Sequence, residues 1–180
     1  VNGALPMAGI LSGRINPSGK LAMTFPYSTG QIPIYYNRRK SGRGHQGFYK
    51  DITSDPLYPF GHGLSYTEFK YGTVTPSVTK VKRGDRLSVE VTVTNVGARD
   101  GAETVHWFIS DPYCSITRPV KELKHFEKQL IRTGETKTFR FDIDLERDFG
   151  FVNEDGKRFL EAGEYHILVQ GQTVKIELID

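Results

Sequence analysis

The sequence has little of several things that define common protein classes. It has one cysteine, Cys114, in 180 residues, which excludes an internal disulfide framework and a cysteine-rich zinc site. No apolar run comes near the roughly 18 residues that a membrane span requires. The formal net charge of +3 is too small to indicate nucleic-acid binding. With 37% hydrophobic and 12% aromatic residues, the chain also has too much apolar content for disorder, so the composition indicates a globular protein.

Glycine and proline are unevenly distributed along the chain. Residues 1–68 hold 10 of the 19 glycines and 6 of the 9 prolines, and these two types are the main breakers of regular structure. We therefore expect loops and short strands there, such as one over residues 21–25, and place a domain boundary near residue 68. The chain begins with Val1 and its apolar opening stretch has no signal-peptide features, so we expect a fragment of a longer protein.

Residues 69–180 contain several stretches that alternate between apolar and polar side chains. This period of two is typical of antiparallel strands with one buried face. The predicted inward residues are Leu87, Val89, Val91 and Val93; Val105, Trp107 and Ile109; Phe139, Phe141, Ile143 and Leu145; Tyr165, Ile167 and Val169; and Val174, Ile176 and Leu178. About seven short strands separated by turn signals predict an immunoglobulin-like antiparallel β-sandwich. The cysteine pair of antibody domains is missing, which favours a fibronectin type III-like variant.

One segment has two interpretations. Its apolar residues are spaced three to four apart, which indicates an amphipathic helix, but the strands on either side favour a strand with a bulge. The apolar residues concerned are Val120, Leu123, Phe126, Leu130 and Ile131. Periodicity alone leaves both interpretations open.

No set of catalytic residues stands out. Asp142 and Asp144 share the outer face of a predicted strand, and Glu154 and Asp155 lie in a hairpin turn, so both pairs are expected to be solvated. Ser65 is not in a nucleophile elbow, and the histidines lack metal-ligand spacing. We therefore expect no catalytic residue, no metal and no cofactor in this chain.

Two loops have compositions that could serve binding. Residues 59–67 (PFGHGLSYT) place His62 between two glycines; we favour an inter-domain hinge with a hydrogen-bonding histidine over a binding loop. Residues 35–45 (YYNRRKSGRGH) combine flat rings, an amide and guanidinium groups, which suit a polyhydroxylated ligand. A solvated surface loop is an equally good interpretation of the second stretch.

The order of several motifs resembles the C-terminal portion of family 3 glycoside hydrolases, the β-glucosidase and β-xylosidase family. The motifs are residues 16–26 (NPSGKLAMTFP), 31–37 (QIPIYYN), 56–67 (PLYPFGHGLSYT), 91–97 (VTVTNVG), 117–123 (TRPVKEL) and 134–136 (GET). They cover nearly all of the chain. Relatives often have Gly-Arg-Pro where this chain has residues 42–45 (GRGH), and Gly-Tyr-Gly where it has residues 61–63 (GHG).

The resemblance implies a domain organisation and a role. Residues 1–68 would be the loop-rich tail of an α/β sandwich domain plus a linker, and residues 69–180 a fibronectin type III-like domain. The family's catalytic Asp and Glu would lie upstream of this chain, so it would be inactive alone and would buttress the catalytic domains. The resemblance also favours a strand for residues 123–131 and a secreted or periplasmic location.

The resemblance also implies partners and candidate site residues. The partners would be the upstream catalytic domains and, through the parent, a β-linked oligosaccharide, with neither nucleic acid nor a membrane span involved. Candidate substrate-rim residues are Tyr36, Asn37, Arg43 and His45, and candidate junction residues are Phe60, His62, Tyr66 and Arg118. Two other functions remain open: a carbohydrate-binding module, with Tyr113 as its platform, and a protein–protein adhesion sandwich.

Overall fold

A computed structural model describes residues 3–40 and 53–180. The regular elements are α1 (Ala4–Leu11), β1 (Phe69–Tyr71), β2 (Thr75–Pro76), β3 (Lys80–Lys82), β4 (Leu87–Asn95), β5 (Gly101–Ser110), β6 (Glu122–Ile131), β7 (Thr136–Ile143), β8 (Phe151–Val152), β9 (Arg158–Phe159), β10 (Gly163–Val169) and β11 (Gln172–Ile179), with a 3-10 turn at Thr29–Gln31 and a π-helical turn at Leu145–Phe149. No helix of the described residues is long and apolar enough to cross a membrane.

The strands form two main sheets that face each other. In one sheet, β4 pairs with β7 along one edge and with β1 and β2 along the other, always antiparallel. In the other, the order is β3-β11-β10-β5-β6, and only the β3–β11 pair is parallel. The short hairpin β8–β9 stands beside them. This is the predicted mostly antiparallel β-sandwich of the fibronectin type III-like class.

The core lies between the inner faces of the two sheets. Of the seventeen residues predicted to point inward, all but one are buried, because a period of two places successive side chains on opposite faces; the exception, Val174, is partly buried and packs against the core. Trp107 is fully buried, and its ring lies 6.1 Å from that of Phe141 on the opposing sheet. Leu145 is buried as predicted but belongs to the turn after β7.

The segment with two interpretations is a strand, β6, and it carries the bulge. The register to β5 shifts between Trp107, which pairs with His125, and Phe108, which pairs with Leu123, so Lys124 is the extra residue. The bulge moves Leu123 onto the outer face that Phe126 also occupies. The three-residue spacing that indicated a helix is therefore produced by a bulged strand.

The residues before 68 differ from the expectation of short strands. Residues 21–25 form no strand: only an isolated bridge joins Phe25 to Tyr58. The opening stretch forms α1 instead, since Pro6 lies in the first turn, where no intrahelical N–H bond is lost. We call the described residues 3–40 and 53–67 the first segment.

Candidate functional site

The first segment packs against the outer face of β5 and the turn between β4 and β5, and we call this contact region the junction. It contains most of the residues singled out from the sequence. Its backbone is fixed first by a short loop, residues 59–63, that closes on residue 21. Leu21 N donates to His62 O and Gly61 N donates to Leu21 O, both at 2.8 Å. These two bonds hold the loop in place without a continuous strand.

Two glycines let this loop make its close approach. Gly61 has φ +82°, a conformation that L side chains rarely adopt. At Gly63 a Cβ atom would collide with the carbonyl oxygen of Gly19 and the side chain of Lys20. The GHG motif is therefore a packing requirement of the junction.

Asn16 joins the first segment to the turn that follows β4. Its Oδ1 accepts hydrogen bonds from Ser65 Oγ at 3.0 Å and from Tyr66 N at 2.8 Å, and its Nδ2 donates to Asp100 O at 2.9 Å. Arg99 adds a bond from Nη1 to Gly13 O at 2.9 Å. One amide thus ties together three stretches of chain.

Asn95 organises the same turn from inside the sandwich. Its side chain is fully buried and donates to Arg99 O at 2.7 Å and Ile131 O at 2.9 Å. Its Oδ1 accepts from Thr67 Oγ1 at 2.7 Å and from Gly97 N at 3.1 Å. All four hydrogen-bonding positions of the amide are used, so this buried polar group is satisfied.

An ion pair between the partly exposed Lys20 and the buried Glu103 crosses the junction. Lys20 Nζ lies 2.9 Å from Glu103 Oε1, and the Glu103 side chain is 7% exposed. Tyr71 donates its hydroxyl to the same oxygen at 3.0 Å. Burial, together with the neighbouring carboxylate, raises the pKa of Tyr71 far above its usual range, so the phenol stays protonated and remains a donor.

An aromatic cluster forms the rest of the contact with β5. Phe60 stacks on Tyr36 with centroids 4.2 Å apart and meets His106 and Phe108 edge-on at 5.8 and 6.1 Å. The Tyr36 hydroxyl also accepts a long hydrogen bond from Leu123 N at 3.4 Å. Burial, followed by the nearby Lys20 charge, lowers the pKa of His106.

The structure places the other predicted residues as follows. His62 stacks on Tyr58 at 4.8 Å, and Tyr66 donates its hydroxyl to Ile10 O at 2.8 Å. Asn37 is exposed in a turn, whereas the ring of Tyr36 packs in the junction. Arg43 and His45 lie outside the described residues.

Arg118 is buried, and its guanidinium forms its hydrogen bonds within residues 69–180. Its guanidinium donates to Asp111 Oδ2 at 3.1 Å, to Glu122 Oε2 at 2.9 Å and to Phe149 O at 2.6 Å. These bonds join the β5–β6 loop to the π-helical turn. The contact with the first segment is made by Val120, two residues after Arg118, whose N donates to Arg38 O at 2.9 Å.

Of the two carboxylate pairs considered from the sequence, one has structural partners and the other lies in an exposed turn. Asp142 accepts from Arg140 Nε at 2.8 Å, and Asp144 caps the π-helical turn by accepting from Arg147 N at 3.0 Å. Glu154 and Asp155 lie exposed in the β8–β9 turn. Within residues 3–40 and 53–180, no group of three His, Cys, Asp or Glu side chains could hold a metal ion.

Sequence reasoning missed the polar centre of the junction, although a signal was present. Asn95 continues the inward phase of Leu87 to Val93, and Glu103 precedes Val105 in the inward phase of β5. A polar residue in phase with a buried face requires a partner. Nothing in the sequence indicated that Lys20 is the partner of Glu103.

Sequence models of known domains match both parts of the chain. Residues 103–173 match the fibronectin type III-like domain, the class that the sandwich topology defines. Residues 2–66 match the glycosyl hydrolase family 3 C-terminal domain. The chain corresponds to the C-terminal portion of family 3 glycoside hydrolases.

Individual relatives and solved structures agree with this assignment. The chain is 39% identical to a periplasmic β-glucosidase of Salmonella typhimurium, over 97% of this chain and 24% of that protein. It superposes on the β-glucosidase EmGH1 of Erythrobacter marinus with a TM-score of 0.89 and 41% identity, covering 96% of this chain and 23% of that one. A β-glucosidase of Listeria innocua in complex with isofagomine gives 0.88 and 39%, covering 96% and 26%. The chain therefore spans about a quarter of the length of these relatives.

Proposed function

We propose that this chain is the non-catalytic C-terminal portion of a β-glucosidase-type glycoside hydrolase, and that its fibronectin type III-like domain buttresses the domain before it. The junction supports the proposal, since Asn16, Lys20 and the loop at 59–63 are fixed to the sandwich by hydrogen bonds, an ion pair and stacked rings. Because the first segment is fixed to the sandwich, the sandwich would also hold the upstream domain in place through that segment. The partner of this chain is then the upstream part of the same parent protein. The substrate of that parent is a β-linked oligosaccharide.

The observation that carries the proposal is the exposed apolar surface of the first segment. On α1, Leu5 and Leu11 are 77% and 78% exposed, and Met7 is 60% exposed. A helix that is apolar on most of its surface is normally covered by other protein. Met23 and Ile32, in the loops after the helix, are also exposed, at 66% and 63%. We infer that the upstream domain covers these side chains.

Hydrolysis of p-nitrophenyl β-glucoside and β-xyloside tests the proposal. We expect no turnover by the 180-residue chain and turnover by the longer parent. A parent with Leu5→Ser and Leu11→Ser should lose thermal stability or activity. Lys128→Gln, on the exposed face of β6, is the control and should change neither. Turnover by the 180 residues alone would overturn the proposal.

We also propose that the chain consists of two units with a boundary near residue 68. The described strands of both main sheets begin at Phe69, and the first segment depends on the junction for its packing. Residues 69–180 expressed alone should therefore give a cooperative unfolding transition, whereas residues 1–68 alone should not. Equal hydrogen-exchange protection of both parts within the chain would contradict this division.

We also propose that the parent protein is exported to the periplasm or outside the cell. Export to the periplasm or outside the cell is supported by the name of the Salmonella typhimurium relative, and fractionation of cells that produce the parent would test it.

Asn37, Arg43 and His45 remain proposed rim residues. Alanine at each should raise KM of the parent while leaving its stability unchanged.

Carbohydrate binding is a second candidate because one aromatic side chain is presented to solvent. Tyr113 is 79% exposed in the β5–β6 loop, and an exposed ring offers a stacking face for a sugar. Titration with cellotetraose and xylotetraose, followed by tyrosine fluorescence, tests this function. Binding lost in Tyr113→Ala and kept in Tyr27→Ala, another exposed tyrosine, would support it.

A further inference from the structure

An open pocket of about 340 Å³ lies beside the junction, where the loop at 59–61 meets the outer face of β5 and the turn between β10 and β11. This volume is at the lower end of the range of small-molecule sites. The side chains important for its chemistry are Phe60, His106, Phe108, Lys121 and Gln170. It thus combines flat apolar rings with a cation and neutral polar groups.

Lys121 is a half-buried cation without an anionic partner among the described residues. Its ammonium group lies over the ring of Phe108, 4.7 Å from the centroid. Burial lowers the pKa of this amine, which is the sign of a charge that has lost water without gaining a counter-charge. The neighbouring Lys124, by contrast, lies 3.3 Å from Glu122 Oε2.

The buried acid of the junction cannot serve as that counter-charge. Glu103 already accepts from Lys20 and Tyr71. The side chains of His106 and Gln170 also have no hydrogen-bond partner within residues 3–40 and 53–180. The pocket therefore holds one cation and two neutral polar side chains that are ready to bind an oxygen-rich anion.

We propose that this pocket binds a small organic carboxylate carried on a six-membered ring. The carboxylate accepts hydrogen bonds from Lys121 Nζ, and the ring lies against Phe60 and Phe108. Binding across these residues also links the first segment to the sandwich, so the ligand stabilises the folded chain by mass action. An aromatic acid and a uronic acid share this chemistry. The site is independent of the buttressing role and of any catalysis by the parent.

Ligand-observed NMR and calorimetry on the 180-residue chain test the proposal with four probes. Benzoate and glucuronate carry the carboxylate on different rings, and benzamide and glucose are their neutral counterparts. We expect at least one carboxylate to bind at least about tenfold more tightly than its neutral counterpart, as a charge-assisted hydrogen bond gives. Preference for benzoate identifies an aromatic body, and preference for glucuronate a sugar body.

Substitutions locate the binding. Lys121→Gln should weaken carboxylate affinity about tenfold, Lys121→Arg should retain most of it, and Lys128→Gln, outside the pocket on β6, should retain all of it. Unfolding curves of each variant establish that it is folded. The proposal is wrong if neither carboxylate binds, if the neutral probes bind equally well, or if folded Lys121→Gln binds as tightly as the unchanged chain.

Discussion

Lys20 and Glu103 form an ion pair across the junction, with 2.9 Å between Nζ and Oε1. The two residues belong to different parts of the chain, and Glu103 sits at an inward position of β5 among apolar neighbours. A carboxylate in that position is stable only when its charge is compensated. The sandwich therefore depends on the first segment for one of its own core positions.

Removing the lysine should destabilise the chain strongly. Lys20→Met leaves Glu103 with only the Tyr71 hydroxyl, and breaking a buried pair by removing one partner costs about 3 kcal/mol or more of unfolding free energy. Urea unfolding measures the change. The control is Lys80→Met, whose partner Glu177 is exposed, and its midpoint should stay unchanged. A double-mutant cycle with Glu103→Gln that is fully additive would contradict the coupling.

Gly19 and Gly63, which lie side by side in the junction, should respond differently to an added methyl group. Gly63→Ala forces a Cβ against the Gly19 carbonyl and should cost about 1–3 kcal/mol, as overpacking does. Gly19→Ala directs its Cβ into open space and should change stability little. Thermal unfolding of both variants measures the difference, and equal melting temperatures would show that the close approach is absent in solution.

Asn95 should not tolerate the isosteric aspartate. Asn95→Asp replaces the amide donor by an oxygen facing the carbonyls of Arg99 and Ile131, and a buried unpaired charge costs about 3 kcal/mol or more. Chemical denaturation should show this loss at pH 7. Asn37→Asp, at an exposed position, is the matched control. A small effect at both positions would mean that the hydrogen bonds of Asn95 are dispensable.

His106 should make stability depend on pH in a defined direction. Burial lowers the pKa of His106 in the folded chain below its unfolded value of 6.5, so between those two values the unfolded chain binds more protons. The contribution of His106 to the free energy of unfolding is then fully present above pH 6.5 and is lost as the pH falls towards the folded pKa. Unfolding midpoints from pH 7.5 to 5 should fall less steeply in His106→Gln. An unchanged slope in that variant would exclude His106 as the source.

Cys114 should react slowly with thiol reagents. Burial raises the pKa of its thiol to about 11, so at pH 8 the folded chain has about a hundredfold less thiolate than a thiol with an ordinary pKa. Labelling with iodoacetamide, followed by mass spectrometry, measures the rate. The same chain in urea is the control and should react much faster. Equal rates would place the thiol in open solvent.

The sandwich was predictable from the sequence because its strands have one buried face each. Val89, Phe139 and Ile167 are fully buried as the alternation requires. The alternation misled where the geometry departs from a regular strand, at the bulge around Lys124. There Leu123 and Phe126, three residues apart, share a face, so a strand imitates the spacing of a helix.

The first segment was less predictable because its structure depends on contacts distant in sequence. Loops and short strands were expected there, yet the opening stretch forms α1, with Pro6 in its first turn, where proline is tolerated. Lys20 is an ordinary charged residue until β5 places Glu103 beside it. The resemblance to family 3 identified the region, but only the fold shows which side chains hold it to the sandwich.

The long sequence separations across the junction impose an order on folding. Gly13, Asn16 and Lys20 bind Arg99, Asp100 and Glu103, residues that a ribosome adds some 80 positions later. At about 5–20 residues per second, these groups are without their partners for roughly 4–16 seconds of synthesis. During that interval the apolar side chains of the first segment depend on earlier parts of the nascent chain, or on chaperones, to avoid aggregation.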